Sequence, residues 1–177
     1  TAGMGTVGAR DRRGGAAVAW TIDEVPWTHP DAERLRAAQR RELDERYGSD
    51  DHEPGLAPSA GDVTVFLLAR DEEGRAVACG GLRPLPDDVL GPGAIEVKRM
   101  FAAPSARGTG AATAVLRALE ERAAELGTTR LVLETGTLQP DAMRFYVREG
   151  YVPIPLFGAY VGSEHSVCFA RELPRPA

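Results

Sequence analysis

Cysteine, histidine, clustered basic charge and long apolar runs are all scarce in this chain, and each scarcity removes a class of protein. Only two cysteines occur among 177 residues. Cys79 and Cys168 sit in separate strand-like apolar stretches without metal-site spacing, so they read as buried reduced thiols and point to a cytoplasmic setting. The histidines, His29, His52 and His165, fall in loops or caps without paired ligand spacing, which leaves no metal site. A net charge of −5, with no stretch of clustered Lys and Arg, argues against a nucleic-acid or anionic-membrane surface. The apolar runs, such as Val65-Phe66-Leu67-Leu68-Ala69, fall far short of the roughly 20 residues that span a bilayer. Thr1 to Gly15 lacks the apolar centre of a secretory signal and reads as a loose leader over residues 1–15. No Gly-Lys-Ser/Thr follows any glycine loop, so a P-loop is absent. Ser105, Ser163 and Ser166 lack the strand-turn-helix context of a nucleophile elbow, which disfavours a covalent mechanism.

With 43% apolar and 27% charged residues, the remainder, residues 16–177, suits one domain with one sizeable core. Ala17 to Asp23 reads as a strand, and Thr28 is placed to cap a helix from Pro30 to Tyr47 whose apolar face (Leu35, Ala38, Leu43, Tyr47) is rough. Gly48 to Gly61 carries turn chemistry and reads as a mobile surface loop. Val63 to Arg70 and Arg75 to Leu82, joined by Asp71-Glu72-Glu73-Gly74, predict an antiparallel hairpin. A third run, Ala94 to Ala102, follows. Ala112, Val115, Leu116, Leu119, Ala123 and Leu126 recur at helical spacing until Gly127 ends the pattern. A strand from Thr129 to Glu134, a helix from Pro140 to Glu149 and strands at Tyr151 to Ile154 and Ser166 to Glu172 complete the order. The sum is an α/β domain with a mixed, mostly antiparallel twisted sheet and helices on both faces.

Between the third strand and the long helix lies Arg107-Gly108-Thr109-Gly110-Ala111-Ala112. Glycines let a backbone turn tightly and approach a ligand, and the first N–H groups of the following helix point at one spot with its positive dipole end behind them. Such a loop suits a diphosphate. Gly108-x-Gly110-x-x-Thr113, with Glu134 ending the next strand, invites comparison with a dinucleotide fingerprint. However, Pro104-Ser105-Ala106-Arg107 separates strand from glycine, and Thr113 replaces the third glycine. An ordinary strand-to-helix turn is the remaining rival.

The loop resembles the central motif of the GNAT superfamily of acyl-CoA-dependent N-acetyltransferases, Arg/Gln-x-x-Gly-x-Gly/Ala, at every defined position. Glu96-Val97-Lys98-Arg99-Met100-Phe101 is similar to that family's central strand. Glu134 to Ala142, followed by Phe145-Tyr146 and Gly150-Tyr151, is similar to its second conserved block. The resemblance implies an N-acetyltransferase domain over residues 16–177 that uses acetyl-CoA, without a metal, and transfers its acetyl group directly to a primary amine of a small molecule or peptide. It implies that backbone amides of Gly108, Thr109, Gly110, Ala111, Ala112 and Thr113 hold the diphosphate and that Arg107 shapes the entry turn. Phe101, Ala102 and Ala103 are then backbone partners of the thiol-bearing arm. Gln139 stands where the family often has Asn beside the cofactor. Tyr146 is the implied general acid for the leaving thiolate, since a phenol stays protonated at neutral pH. For the proton on the acceptor ammonium, a carboxylate in an apolar strand suffices, with Glu96 first and Glu134 second. A backbone N–H near Met100 or Phe101 is suited to the oxyanion. Family members often form homodimers through C-terminal strands, here Ser166 to Glu172. A non-catalytic acyl-CoA-binding sensor or scaffold is the alternative from another class.

Two clues to the acceptor disagree. Glu42, Asp44, Glu45, Asp50, Asp51 and Glu53 would attract a cationic amine, whereas Arg83, directly after an apolar strand, would bind a carboxylate.

Overall fold

Turn chemistry and alternating apolar residues over the first hundred positions produce a meander, and the helical pattern after Gly110 supplies a crossover. The computed structural model describes residues 5–8 and 19–174. In chain order the elements are β1 (Gly5–Gly8), β2 (Ala19–Glu24), α1 (Pro30–Tyr47), β3 (Val65–Arg70), β4 (Ala76–Pro84), the single turn α2 (Asp87–Leu90) and β5 (Ile95–Ala102). They continue with α3 (Ala111–Glu125), β6 (Arg130–Gly136), α4 (Pro140–Arg148), β7 (Val152–Ile154) and β8 (Ser166–Glu172). The eight strands form one sheet in the order β1-β2-β3-β4-β5-β6-β8-β7. Every neighbouring pair is antiparallel except β5 and β6. That parallel pair needs a crossover, and α3 provides it.

Helices cover both faces, as expected. On one face Ala32 and Leu35 of α1 pack with Phe66, Leu68, Cys79 and Phe101. On the other, Ala111, Ala114, Val115, Leu116, Leu119 and Ala123 of α3 pack over Val65, Leu67, Leu82, Val97, Leu131 and Leu133. Both cysteines are free and buried. Burial pushes the Cys79 thiol up to about 12 and the Cys168 thiol up to about 11, so neither is a ready nucleophile.

Three expectations change. Gly5–Gly8, inside the stretch read as a loose leader, is a strand paired with Ala19–Ile22, while the rest of residues 1–15 lies outside the described residues. The first helix is capped by His29, whose Nδ1 accepts the Asp31 N–H at 3.1 Å, instead of by Thr28. The 48–61 loop, read as free surface, is docked on the molecule: Glu53 reaches Lys98, and the Leu56 carbonyl accepts a bond from Arg83.

Two local features shape the centre of the sheet. β5 and β6 pair only at Ile95↔Leu131 and Glu96↔Val132, and then part, leaving a gap between their inner edges. Opposite β4 the register slips between Cys79↔Phe101 and Gly81↔Lys98. Two residues, Arg99 and Met100, face Gly80 there, and Arg99 takes the left-handed φ of 57°. This is a β-bulge, which interrupts the alternation of side chains. Gly80 lets α3 lie close to the bulge, because a Cβ there would stand 2.5 Å from Met100 Sδ and 2.9 Å from Leu119 Cδ1. Gly80→Ala is therefore expected to cost about 1–3 kcal/mol through overpacking, read as a lower urea midpoint at unchanged m-value. An unchanged midpoint would show that α3 shifts without cost.

Candidate active site

The long helix begins with unpaired donors. Gly108 and Gly110 take left-handed φ values of 76° and 90°, which turn the chain sharply onto the axis of α3. Gly110 is the N-cap and offers no side-chain cap, and the first helical bond is Ala114 N–H to Gly110 C=O at 2.9 Å. The N–H groups of Ala111, Ala112 and Thr113 thus lie ahead of that first bond, at the positive end of the helix. Nothing would meet a Cβ at Gly108 within 4 Å, so the turn borders open space. These features fit a diphosphate. The Thr113 hydroxyl, by contrast, is turned away and donates to Glu149 Oε1 at 3.1 Å. Thr109 Oγ1 is bonded back to the Ala106 carbonyl.

Two adjoining cavities open from the gap between β5 and β6. The larger, about 200 Å³, is lined by Phe101, Ala102, Arg107 and Ala112 along with Met100 and Phe145. The smaller, about 90 Å³, is lined by Glu53, Lys98, Arg99 and Glu134 beneath Tyr47 and His52. Gln39, Leu43, Met100, Gln139, Ala142 and Tyr146 border both. This explains the rough apolar face of α1: Gln39, Leu43 and Tyr47 form one helical stripe that faces the cavities, not the core.

Of the residues foreseen for the arm of the cofactor, Phe101 and Ala102 line the larger cavity, but Ala103 does not. Its N–H is committed to the Val77 carbonyl on the β4 side at 2.8 Å. The Ala102 carbonyl accepts Arg107 Nε at 3.2 Å, and the Met100 carbonyl accepts Gln39 Nε2 at 2.9 Å. Arg107 also pairs with Glu42 at 2.6 Å, tying the glycine loop to α1. Gln39 was not foreseen, and Met100 was foreseen only for its backbone N–H. Only the helical spacing of Gln39, Leu43 and Tyr47 could have signalled the first.

The two carboxylates separate clearly. Glu96 is fully buried, receives Arg83 Nη2 at 2.9 Å and Tyr160 Oη at 2.5 Å, and lines neither cavity. Its partners hold it in place as a counter-ion, which corrects its rank as first candidate base. The same pair engages Arg83, which also lies 3.5 Å from Asp62 and lines neither cavity, so the structure does not bring it to the site where a substrate carboxylate was expected. Glu134 faces the smaller cavity. Burial raises its carboxyl to about 7, an effect that nearby Glu53 and Glu96 reinforce and that Lys98 and the Ser166 hydroxyl oppose. Tyr146, on α4, is buried and edge-on to Tyr151. Desolvation, and then the charge of Glu134, hold its phenol above the ordinary value. Among the described residues no hydrogen bond engages its hydroxyl. Gly136 leaves room for the Tyr47 hydroxyl at the smaller cavity: a Cβ there would make the Tyr47 side chain shift.

Half of the foreseen acidic patch is engaged internally. Glu42 pairs with Arg46 and Arg107, Asp44 with His52, and Glu53 with Lys98 and Arg99.

A sheet split between two parallel strands, with a glycine turn opening a helix at one end of the split and Glu134 and Tyr146 beside it, is the arrangement of an acyltransferase fold. The chain belongs to the acetyltransferase (GNAT) family, whose model matches residues 20–151. It is 36% identical over 95 residues to an IAA acetyltransferase of Azospirillum brasilense, a stretch covering 54% of this chain. The chain spans 59% and 51% of the two curated relatives it matches. A candidate acyl-CoA N-acyltransferase of Klebsiella pneumoniae is 30% identical, with a TM-score of 0.71 over 87% of this chain and 97% of that one. N-acetylglutamate synthase of Neisseria gonorrhoeae, solved with coenzyme A and N-acetyl-glutamate, shares the fold at 16% identity, with a TM-score of 0.63 over 87% of this chain and 35% of its own.

Proposed function

We propose that this chain transfers the acetyl group of acetyl-CoA directly to a primary amine of a small molecule or peptide, with both substrates bound at once. The observation that carries the reading is the meeting of the two cavities at Tyr146, with Glu134 in the smaller one and the glycine turn beside the larger. The amides of Ala111 to Thr113 and the turn at Gly108 would hold the diphosphate, and Phe101 and Ala102 would flank the arm. The thioester supplies an activated acyl group. Glu134, titrating near neutrality, accepts the proton that an ammonium must lose before it can attack. Tyr146, kept protonated by its burial, donates toward the sulfur position. Gln139 borders both cavities and is placed to keep the two substrates in register.

The test is incubation of the protein with acetyl-CoA and a panel of primary amines, read by intact mass of the amines and by free thiol released. Acetylated product with stoichiometric thiol is expected. Saturable coenzyme A binding with no acetylated amine would instead favour a non-catalytic acyl-CoA sensor.

A further inference from the structure

The smaller cavity holds a pair of cations whose counter-ion is borrowed from a loop. Lys98 and Arg99 are consecutive on β5, and in a regular strand they would point to opposite faces. The bulge changes that: Arg99, in the left-handed conformation, is the extra residue, so both side chains reach the same carboxylate. The two side chains are 6% and 9% exposed. Burying two cations side by side requires an anion.

The anion that meets both cations is Glu53, from the loop that follows α1; Glu96 Oε1 stands further off, 3.7 Å from Lys98 Nζ alone. The Glu53 oxygens divide between the cations, Oε1 lying 2.5 Å from Lys98 Nζ and Oε2 2.8 Å from Arg99 Nη1. Burial alone would raise its carboxyl, but Lys98 and Arg99 outweigh that and hold it at about 2. With Glu53 in place the cavity offers about 90 Å³. Glu134, the proposed base, lines the same space.

We propose that the acceptor is an amino acid or a similar small amine bearing a carboxylate, and that its carboxylate takes over Lys98 and Arg99 from Glu53. This rests on the acetyltransferase reading above and names its substrate class. Exchange of one carboxylate for another leaves the buried cations neutralised, and Arg40 Nη1, 3.8 Å from Glu53 Oε2 on the α1 side, is placed to receive the displaced side chain. An amine without a carboxylate would leave Glu53 in position and gain no anchor from the two cations. The amine end of an amino acid seated on Lys98 and Arg99 stays inside the cavity that Glu134 and Tyr146 border.

The test compares α-amino acids with the decarboxylated amines of the same side chain as acceptors for the full chain with acetyl-CoA. Titration of the corresponding N-acetyl amino acids and N-acetyl amines into the protein with coenzyme A provides an arm independent of catalysis. The carboxylated member of each pair is expected to be favoured at least about tenfold in kcat/KM. Arg99→Met should raise its KM by a similar factor and erase the preference with kcat little changed, and Glu53→Gln should lower its KM. Thermal melts of both variants establish that they are folded. Acetylation of decarboxylated amines as efficient as of amino acids would overturn the inference and leave the acetyltransferase reading intact. Selective binding of N-acetyl amino acids without turnover of any acceptor would uphold the cation site and sink the catalytic reading. Absence of both binding and turnover would overturn the two together.

Discussion

Replacing Tyr146 with Phe is expected to lower kcat by about 100-fold or more, the scale of a positioned acid or base, with little change in KM for acetyl-CoA. The phenol borders both cavities, and burial beside Glu134 keeps its proton on through the neutral range. The ring packs with Phe145, Tyr151 and Phe169, and Phe preserves those contacts. Stability should therefore stay within about 1 kcal/mol, since the hydroxyl removed has no protein partner among the described residues. Single-turnover measurement with a saturating amine is the decisive readout, because it isolates the chemical step from product release. Turnover equal to that of the unaltered chain would remove Tyr146 from the reaction and leave it as packing.

Glu134→Gln is expected to have an effect of the same order on kcat/KM and to change its pH dependence. A base must be ionised to act. With its carboxyl near 7, activity of the unaltered chain should fall about tenfold per pH unit below that value and level off above it. The variant should lose that limb. Stability should move the other way. The folded-state value lies above the ordinary 4.5, so the fold disfavours the ionised form. The cost is absent below about pH 4.5, grows between 4.5 and 7, and is complete above 7. Glutamine never ionises. The variant should therefore match the unaltered chain at pH 4 and exceed it at pH 8 by about 1–2 kcal/mol, after discounting for solvent that enters the cavity. A variant that is slower at every pH but shows the same acid limb would assign that limb to another group. Reduced stability at pH 8 would show that the carboxylate is a structural partner.

From β2 onward, apart from the single turn α2, the order of strands and helices and the glycine turn could be read from the sequence because each depends on local signals: alternation, helical spacing, turn residues; Tyr146 was singled out by the family resemblance. The choice between Glu96 and Glu134 could not be read from the sequence. Both end up in apolar strands, but Glu96 is quenched by Arg83, which faces it only through the β4–β5 register, and by Tyr160, 64 positions further along the chain. The bulge at Arg99 was equally hidden, since a non-glycine residue with positive φ leaves no sequence signature. Without the bulge, Lys98 and Arg99 read as opposite-facing neighbours. The acidic stretch from Glu42 to Glu53 misled in a related way. Composition counts charges but does not show that Arg107, Lys98 and Arg99 come back from elsewhere in the chain to pair with Glu42 and Glu53.

The two-pair seam between β5 and β6 bears on how a protein like this one diversifies. Beyond Glu96 and Val132, each strand is anchored only on its outer side, β5 to β4 and β6 to β8. Side chains bordering the gap are therefore released from the cross-strand matching that constrains neighbours in a closed ladder. The glycine turn and the start of α3, built from main-chain groups, do not depend on those side chains. On the proposed reading, mutation can thus recast the acceptor side between the strands while the cofactor side at the helix end is kept. One half of the site is conservative by construction, and the other is open to drift.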